Sequence, residues 1–388
     1  MTKAKLRAIK TLLSSGFSPF LGKPFEFLKS IIGLYITYEL YSSKNIKKRG
    51  NFMIKKMMNP LVLTALGMLR FMSACSSDSK KNEETAQKAA PVAKVSDEWQ
   101  YKLEPKQVAD NVWCFFGALE VPTKENGGNM VNTCYIKTET GYTLWDTGPT
   151  YIYAKQAYEA MSKLVGKLPV TTVLMSHEHD DHWLGNNYYK EVHNAEIVGP
   201  NSVNKNYHPA ETTSRMFVTL TENAIRGTKI IAVDKSYQQA DAIKFAIGGV
   251  DFEYVPVGNG HSEEDYFLYM PKQKVILAGD LVMNGRITSN RDGSVDGQLK
   301  ALEAMNAKAW TTLIPGHGFI IDKTATDESV QYFSLTKERI LKAIDDGIDG
   351  TEIVEKVPLE EFKDKALYDL LNSGNVARAF QEYDIGLD

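Results

Sequence analysis

The segment His177-Glu178-His179-Asp180-Asp181-His182 puts three histidines and three acids into six consecutive positions of a 388-residue chain that has only 7 histidines. A neutral imidazole nitrogen binds a divalent cation at about 2.0–2.1 Å and a carboxylate does so at a similar distance, so the cluster points to a metal site rather than to isolated core histidines. Val170 to Met175, just before it, is a near-continuous β-type run, which predicts a buried strand. His177 and His179 alternate, so both can face one cavity as the chain leaves that strand. Asp181 and His182 can turn towards a neighbouring ion. The fold must therefore bring a buried strand to an end beside a polar cavity.

Three further candidates follow β-type runs with glycine beside them. They are His261 in Gly258-Asn259-Gly260-His261, Asp280 in Leu277-Ala278-Gly279-Asp280, and His317 in Pro315-Gly316-His317-Gly318. Glycine permits tight, closely approaching loops, so several strand ends can converge on one point at one end of a sheet, where α/β proteins commonly bind ligands. His193 and His208 fit no such pattern and read as ordinary hydrogen-bonded residues. With 3 cysteines the chain can build neither a disulfide framework nor a tetrathiolate zinc site. With 45 Lys and Arg against 48 Asp and Glu, net −3, no global field favours nucleic acid, and a small-molecule substrate is expected instead.

From residue 97 onward β-type and helical segments alternate, an α/β layered pattern. Val131–Ile136, Tyr142–Trp145, Phe252–Val257, Tyr266–Met270, Val275–Ala278 and Thr311–Ile314 are predicted strands. The spacing of Ala154, Ala157, Tyr158, Met161, Leu164 and Val165 predicts a helix stopped by Gly166 and Pro169; Leu299, Leu302, Met305 and Ala309 mark another, and Asn372–Glu382 a terminal one. Cys114 and Cys134 sit on neighbouring β runs, and the reading favours buried free thiols over a bond between them. Val121–Met130, with Gly127-Gly128, reads as a mobile flap. Asn284, Arg286 and Asn290 on the polar loop after Asp280, together with Tyr207, are candidate substrate contacts.

Residues 53–74 resemble a bacterial lipoprotein signal peptide: Met53-Ile54-Lys55-Lys56 supplies positive charge, Pro60 to Leu69 a short apolar core, and Ser73-Ala74 small residues before Cys75. That resemblance implies lipidation at Cys75, with residues 75–96 as a polar tether and an exported protein anchored in the bacterial cell envelope. No apolar run reaches the roughly 20 residues of a membrane span. Residues 1–52 form an unplaced leader, read either as the product of a start codon assigned too far upstream or as a genuine extension. Lys47-Lys48-Arg49-Gly50 is what a ribosome-binding site read in frame would encode.

His177-x-His179-x-Asp181-His182, followed by His261, Asp280 and His317 in that order, resembles the metallo-β-lactamase-fold hydrolase superfamily over residues 97–388. The resemblance implies an αβ/βα four-layer sandwich with the metal site at the edge of its two sheets. It implies two divalent ions, zinc by preference. His177, His179 and His261 would hold the first, Asp181, His182 and His317 the second, and Asp280 would bridge them. Asp146, in Trp145-Asp146-Thr147-Gly148, would orient ligand histidines. Two such ions lower the pKa of a shared water and polarise the bond under attack, with Asp181 also managing the proton.

Dedicated lactamases commonly carry Cys or Ser where Asp280 stands. The resemblance therefore favours hydrolases of an ester, thioester, lactone or related bond, loosely like exported proteins of sulfur oxidation or quinoprotein systems. A persulfide dioxygenase-like enzyme with one iron, a β-lactamase, and a non-catalytic lipoprotein retaining the fold remain alternatives. Oligomeric state is not legible.

Overall fold

The computed structural model describes residues 98–207, 214–237 and 241–386. The leader, the signal-peptide-like segment, Cys75, the tether and His208 lie outside them.

Six strands form the first sheet in sequential order: β1 (Lys106–Ala109), β2 (Val112–Phe115), β3 (Thr133–Thr138), β4 (Gly141–Trp145), β5 (Val170–Leu174) and β6 (Glu196–Val198). Pairing is antiparallel from β1 to β4 and parallel from β4 to β6. The second sheet has β7 (Ile243–Ile247), β8 (Val250–Gly258), β9 (Asp265–Met270), β10 (Val275–Met283) and β11 (Thr312–His317), antiparallel up to β10 and closed by a parallel β10–β11 pair. Helix α1 (Tyr151–Leu164) makes the crossover between the parallel strands β4 and β5, and α2 (Asn186–His193) that between β5 and β6. After β10 come α3 (Val295–Asn306), then past β11 α4 (Asp327–Asp345) and α5 (Tyr368–Ile385).

Side-chain alternation along the strands builds three apolar layers, because successive residues point to opposite faces of a sheet. In β3, Cys134 and Ile136 join a core shared with Tyr254, Leu268 and Leu277 of the second sheet, so this layer lies between the sheets. Tyr135 of β3 faces the other way and packs with Tyr153, Ala157 and Met161 of α1. In β10, Val275 and Leu277 face the inter-sheet core, while Ile276 and Ala278 join Leu302, Phe333 and Val376 of α3, α4 and α5. Helices, sheet, sheet and helices therefore stack as the four-layer sandwich expected. Strands such as β9, buried at all 6 positions and carrying only aromatic or aliphatic side chains after Asp265, suit a sheet covered on both faces.

Two sequence expectations change. Cys114 and Cys134 are directly opposite each other on β2 and β3, with Cα atoms 4.1 Å apart, and are joined in a disulfide rather than kept as free thiols. The polar loop after Asp280 is also not uniformly a substrate surface. Asn284 is buried, its Oδ1 accepting the Phe319 and Ile320 amides at 3.0 Å and its Nδ2 donating to the Ile320 carbonyl at 2.9 Å. It caps the turn after His317. Asn290 is buried too, with its backbone N–H held by Asn375 Oδ1 at 2.8 Å. Tyr207 packs edge-on against Trp183, ring centroids 5.1 Å apart. None of these three lines the pocket described below.

Candidate metal centre

The chain leaves β5 at Leu174, and within eight residues delivers His177, His179, Asp181 and His182, the last two on a single helical turn, Asp180–Trp183. The opposing side comes from the second sheet: His261 follows β8, Asp280 lies within β10 and His317 ends β11. Candidate ligating atoms fall into two groups, each within 4.8 Å internally: His177, His179, His261 and Asp280, and Asp181, His182 and His317.

Asp280 divides its carboxylate between them. Oδ2 lies 3.2 Å from His261 Nε2 and 3.7 Å from His177 Nε2, while Oδ1 lies 3.1 Å from His182 Nε2 and 3.4 Å from His317 Nε2. His177 Nε2, His182 Nε2 and Asp280 Oδ1 are buried and make no hydrogen bond. Orphaned buried polar atoms are costly unless something else satisfies them, and this donor set of imidazoles and carboxylates fits divalent metal. Asp181 Oδ2 completes the second group, 3.5 Å from His317 Nε2 and 3.8 Å from His182 Nε2. Close approach around Asp280 depends on glycine. A Cβ on Gly316 would sit 2.0 Å from Asp280 Oδ1, and one on Gly279, whose φ is +55°, would sit 2.5 Å from Ser176 Cβ.

The ring orientations are set from behind. Asp146 Oδ2 lies 2.8 Å from His182 Nδ1 and accepts the Ser176 hydroxyl at 2.7 Å, and that hydroxyl is 2.9 Å from His177 Nδ1. His317 Nδ1 meets the Met130 carbonyl at 2.6 Å, which turns Nε2 inward. Asn132 anchors the same strand end by donating from Nδ2 to the Pro315 and Gly318 carbonyls, both at 2.9 Å. His179 presents Nδ1 to the cluster, 2.9 Å from His261 Nε2, and its Nε2 meets Asp292 at 3.1 Å. Ser176, Arg215 and Asp292 carry no mark in the sequence reading. Ser176 could have been found as the small polar residue between the buried strand and the first histidine.

The electrostatics favour ionised carboxylates beside neutral and cationic imidazoles. Burial, then the neighbouring His182, keep the His177 imidazole neutral by pushing its pKa well down. Burial works against ionisation of Asp181 as well, but Arg215, His182 and His317 outweigh it and hold the carboxyl below its usual range. Arg215 bridges Asp180 (2.9 Å) and the outer oxygen of Asp181 (2.6 Å). Burial likewise opposes the charge on His182, yet Asp280, Asp146 and Asp181 together lift its pKa well above the ordinary value.

The cluster opens into a pocket whose lining includes Val121, Pro122, Met130, Arg286, Leu367 and Leu371. Of the substrate candidates, Arg286 is the one the pocket includes. The loop that carries Val121 is tied internally, with Asn126 Nδ2 donating to the Val121 carbonyl at 2.8 Å and the Asn126 side-chain oxygen accepting the Thr123 and Gly128 amides.

Residues 126–317 match the family described as the metallo-beta-lactamase superfamily. Metallo-beta-lactamase IND-1 of Chryseobacterium indologenes is 26% identical over 219 residues, 51% of this chain and 81% of that protein. Among solved structures, the stereoselective inverting sec-alkylsulfatase Pisa1 from Pseudomonas sp. is similar with a TM-score of 0.55 at 16% identity, over 72% of this chain and 50% of that one, a likeness of fold alone. A metallo-beta-lactamase from Pontibacter korlensis is 22% identical with a TM-score of 0.47, over 60% of this chain and 99% of that one.

Proposed function

The chain carries a metallo-β-lactamase superfamily domain at residues 126–317, and from that premise we propose that it is a metal-dependent hydrolase holding two divalent ions, zinc by preference. The observation that carries this reading is the division of Asp280, one oxygen turned to His177 and His261 and the other to His182 and His317. Two separate donor groups sharing one carboxylate suit a pair of ions better than one.

When bound, such ions supply Lewis acidity and lower the pKa of a water molecule into the neutral range. His177, His179 and His261 would hold one, Asp181, His182 and His317 the other, with Asp280 between. Asp181 faces the pocket and keeps its charge through Arg215, so it can accept a hydrogen bond from an attacking water and pass the proton towards a leaving group. Asp146 fixes the tautomer of His182 so that Nε2 is free. The bond cleaved is proposed to be an ester, thioester, lactone or related bond in a small molecule. We further propose export to the bacterial envelope and lipidation at Cys75. The Cys114–Cys134 disulfide supports an oxidising compartment.

The test is elemental analysis by plasma mass spectrometry of the full chain and of Asp280→Ala, beside a panel of ester, thioester, lactone, sulfate and β-lactam substrates. About two zinc or similar ions, lost in the variant together with hydrolysis, is the expected result. A single iron with oxygen consumption would replace hydrolysis by sulfur oxygenation, and no metal under replete conditions would overturn the catalytic reading. For the anchor, labelled palmitate should enter the wild-type chain and not Cys75→Ser.

A further inference from the structure

Arg286 differs from the other two arginines of the pocket. Arg215 is paired with Asp180 and Asp181, and Arg291 with Asp292 at 2.6 Å. Arg286 is 9% exposed, donates from Nε to the Ile287 carbonyl at 3.3 Å, and leaves Nη1 buried without a hydrogen-bond partner. Burial pulls its pKa down, opposed by Asp280 and Asp181. A buried guanidinium nitrogen without a hydrogen-bond partner is destabilising unless a ligand completes it.

The chain beside Arg286 is equally specific. Ile287 donates its backbone N–H to the Ala366 carbonyl at 2.9 Å, and Ala366 donates to the Gly285 carbonyl at 3.1 Å, a bridge that fixes residues 366–367 against the arginine. Leu367 follows directly, held in the left-handed region at φ 64°, and together with Leu371, one turn into α5, it forms an apolar wall of the pocket. A leucine has no intrinsic reason to adopt that conformation, and strain of this kind persists where surrounding contacts hold a residue in place. These leucines lie beyond residue 317, where the family match ends. Val121 and Pro122 add to the apolar lining.

We propose that this pocket takes an amphiphilic anion, whose anionic group binds the Arg286 guanidinium and whose hydrocarbon chain lies against Leu367 and Leu371. The proposal rests on the hydrolase reading for what happens to the substrate, but not for what binds. A buried guanidinium selects a carboxylate, phosphonate or sulfate group by charge-assisted hydrogen bonds, and the adjoining leucines reward added methylenes.

The test is calorimetric titration of the full chain, metal-free and zinc-loaded, with n-alkylphosphonates from methyl to hexyl. Affinity should rise about fourfold per methylene over the series. Arg286→Gln should weaken every member by about tenfold or more, leaving the chain-length slope intact. Leu371→Asn should flatten the slope, and Leu370→Asn, a control at a neighbouring residue that is 62% exposed, should not. Circular dichroism verifies that each variant is folded. A flat series in the wild-type chain, or Arg286→Gln binding as well as the wild type, overturns the proposal. If both dependences appear while no metal is retained, the hydrolase reading fails and this one stands. If metal and hydrolysis are present but the series is flat, the reverse holds.

Discussion

Asp146 holds His182 Nδ1 at 2.8 Å with the same carboxylate oxygen that accepts the Ser176 hydroxyl, so one buried acid aims two candidate ligands, His182 directly and His177 through the serine. Asp146 itself stands at φ 54°, where asparagine and aspartate are tolerated better than other non-glycine residues. Asp146→Asn therefore keeps the backbone while removing the charge. Zinc affinity, measured by competition with a chromophoric chelator, is expected to fall about 10–100-fold, with the fold intact by circular dichroism. Unchanged affinity would remove Asp146 from the support of the site.

Gly316→Ala tests the packing around Asp280. The added Cβ would come within 2.0 Å of Asp280 Oδ1 and 2.6 Å of the Gly279 carbonyl carbon, both on the neighbouring strand β10. Backbone on that side cannot yield cheaply, so the methyl group should displace the carboxylate and cost about 1–3 kcal/mol of stability. Urea unfolding measures the cost and elemental analysis the metal; an alanine variant with wild-type metal content would show that Asp280 is not tightly placed.

The Cys114–Cys134 bond closes a loop between residues 20 apart in sequence and is buried in the inter-sheet core. A cross-link of that span constrains the unfolded chain by about 3 kcal/mol. Replacing both cysteines with alanine should lower the urea midpoint accordingly, with a further small loss from the deleted sulfur atoms. An unshifted midpoint would count against the bond in the folded protein.

Chelation gives a fourth expectation. A ligand that binds only the folded state stabilises it by about 2.7 kcal/mol at one hundred times its dissociation constant, so removal of metal should lower the thermal midpoint and restoring zinc should recover it. The Asp280→Ala variant should show little response to either treatment.

The six-residue cluster was legible because local sequence carries it: one buried strand ends and four candidate ligands follow within eight residues. His261, Asp280 and His317 were legible for a related reason, each marked by a β run and a neighbouring glycine. Residues that act across the fold left no such mark. Arg215 reaches Asp181 from 34 positions downstream, and Asp292 reaches His179 from 113 away, so neither belongs to a local pattern. Asn284 misled because a polar residue just past Asp280 looks like a pocket residue. Its amide is instead needed to satisfy the backbone of the turn at Phe319 and Ile320. The disulfide escaped because facing registers on β2 and β3 are a property of pairing, which hydrophobic alternation does not specify to the residue.

The candidate ligands are drawn from both halves of the sandwich, four from the segment after β5 and three from β8 to β11. An ion held among them would act as a rivet through two plates that otherwise meet across an apolar layer and a few hydrogen bonds, such as those of Asn132 to the Pro315 and Gly318 carbonyls. Amide hydrogens of β5 and of β10 should then slow their exchange together when metal binds, and slip together when it leaves. With such an ion bound, the filling of the donor groups and the resistance of the two sheets to prying apart would be one quantity, set by the free metal concentration around the molecule.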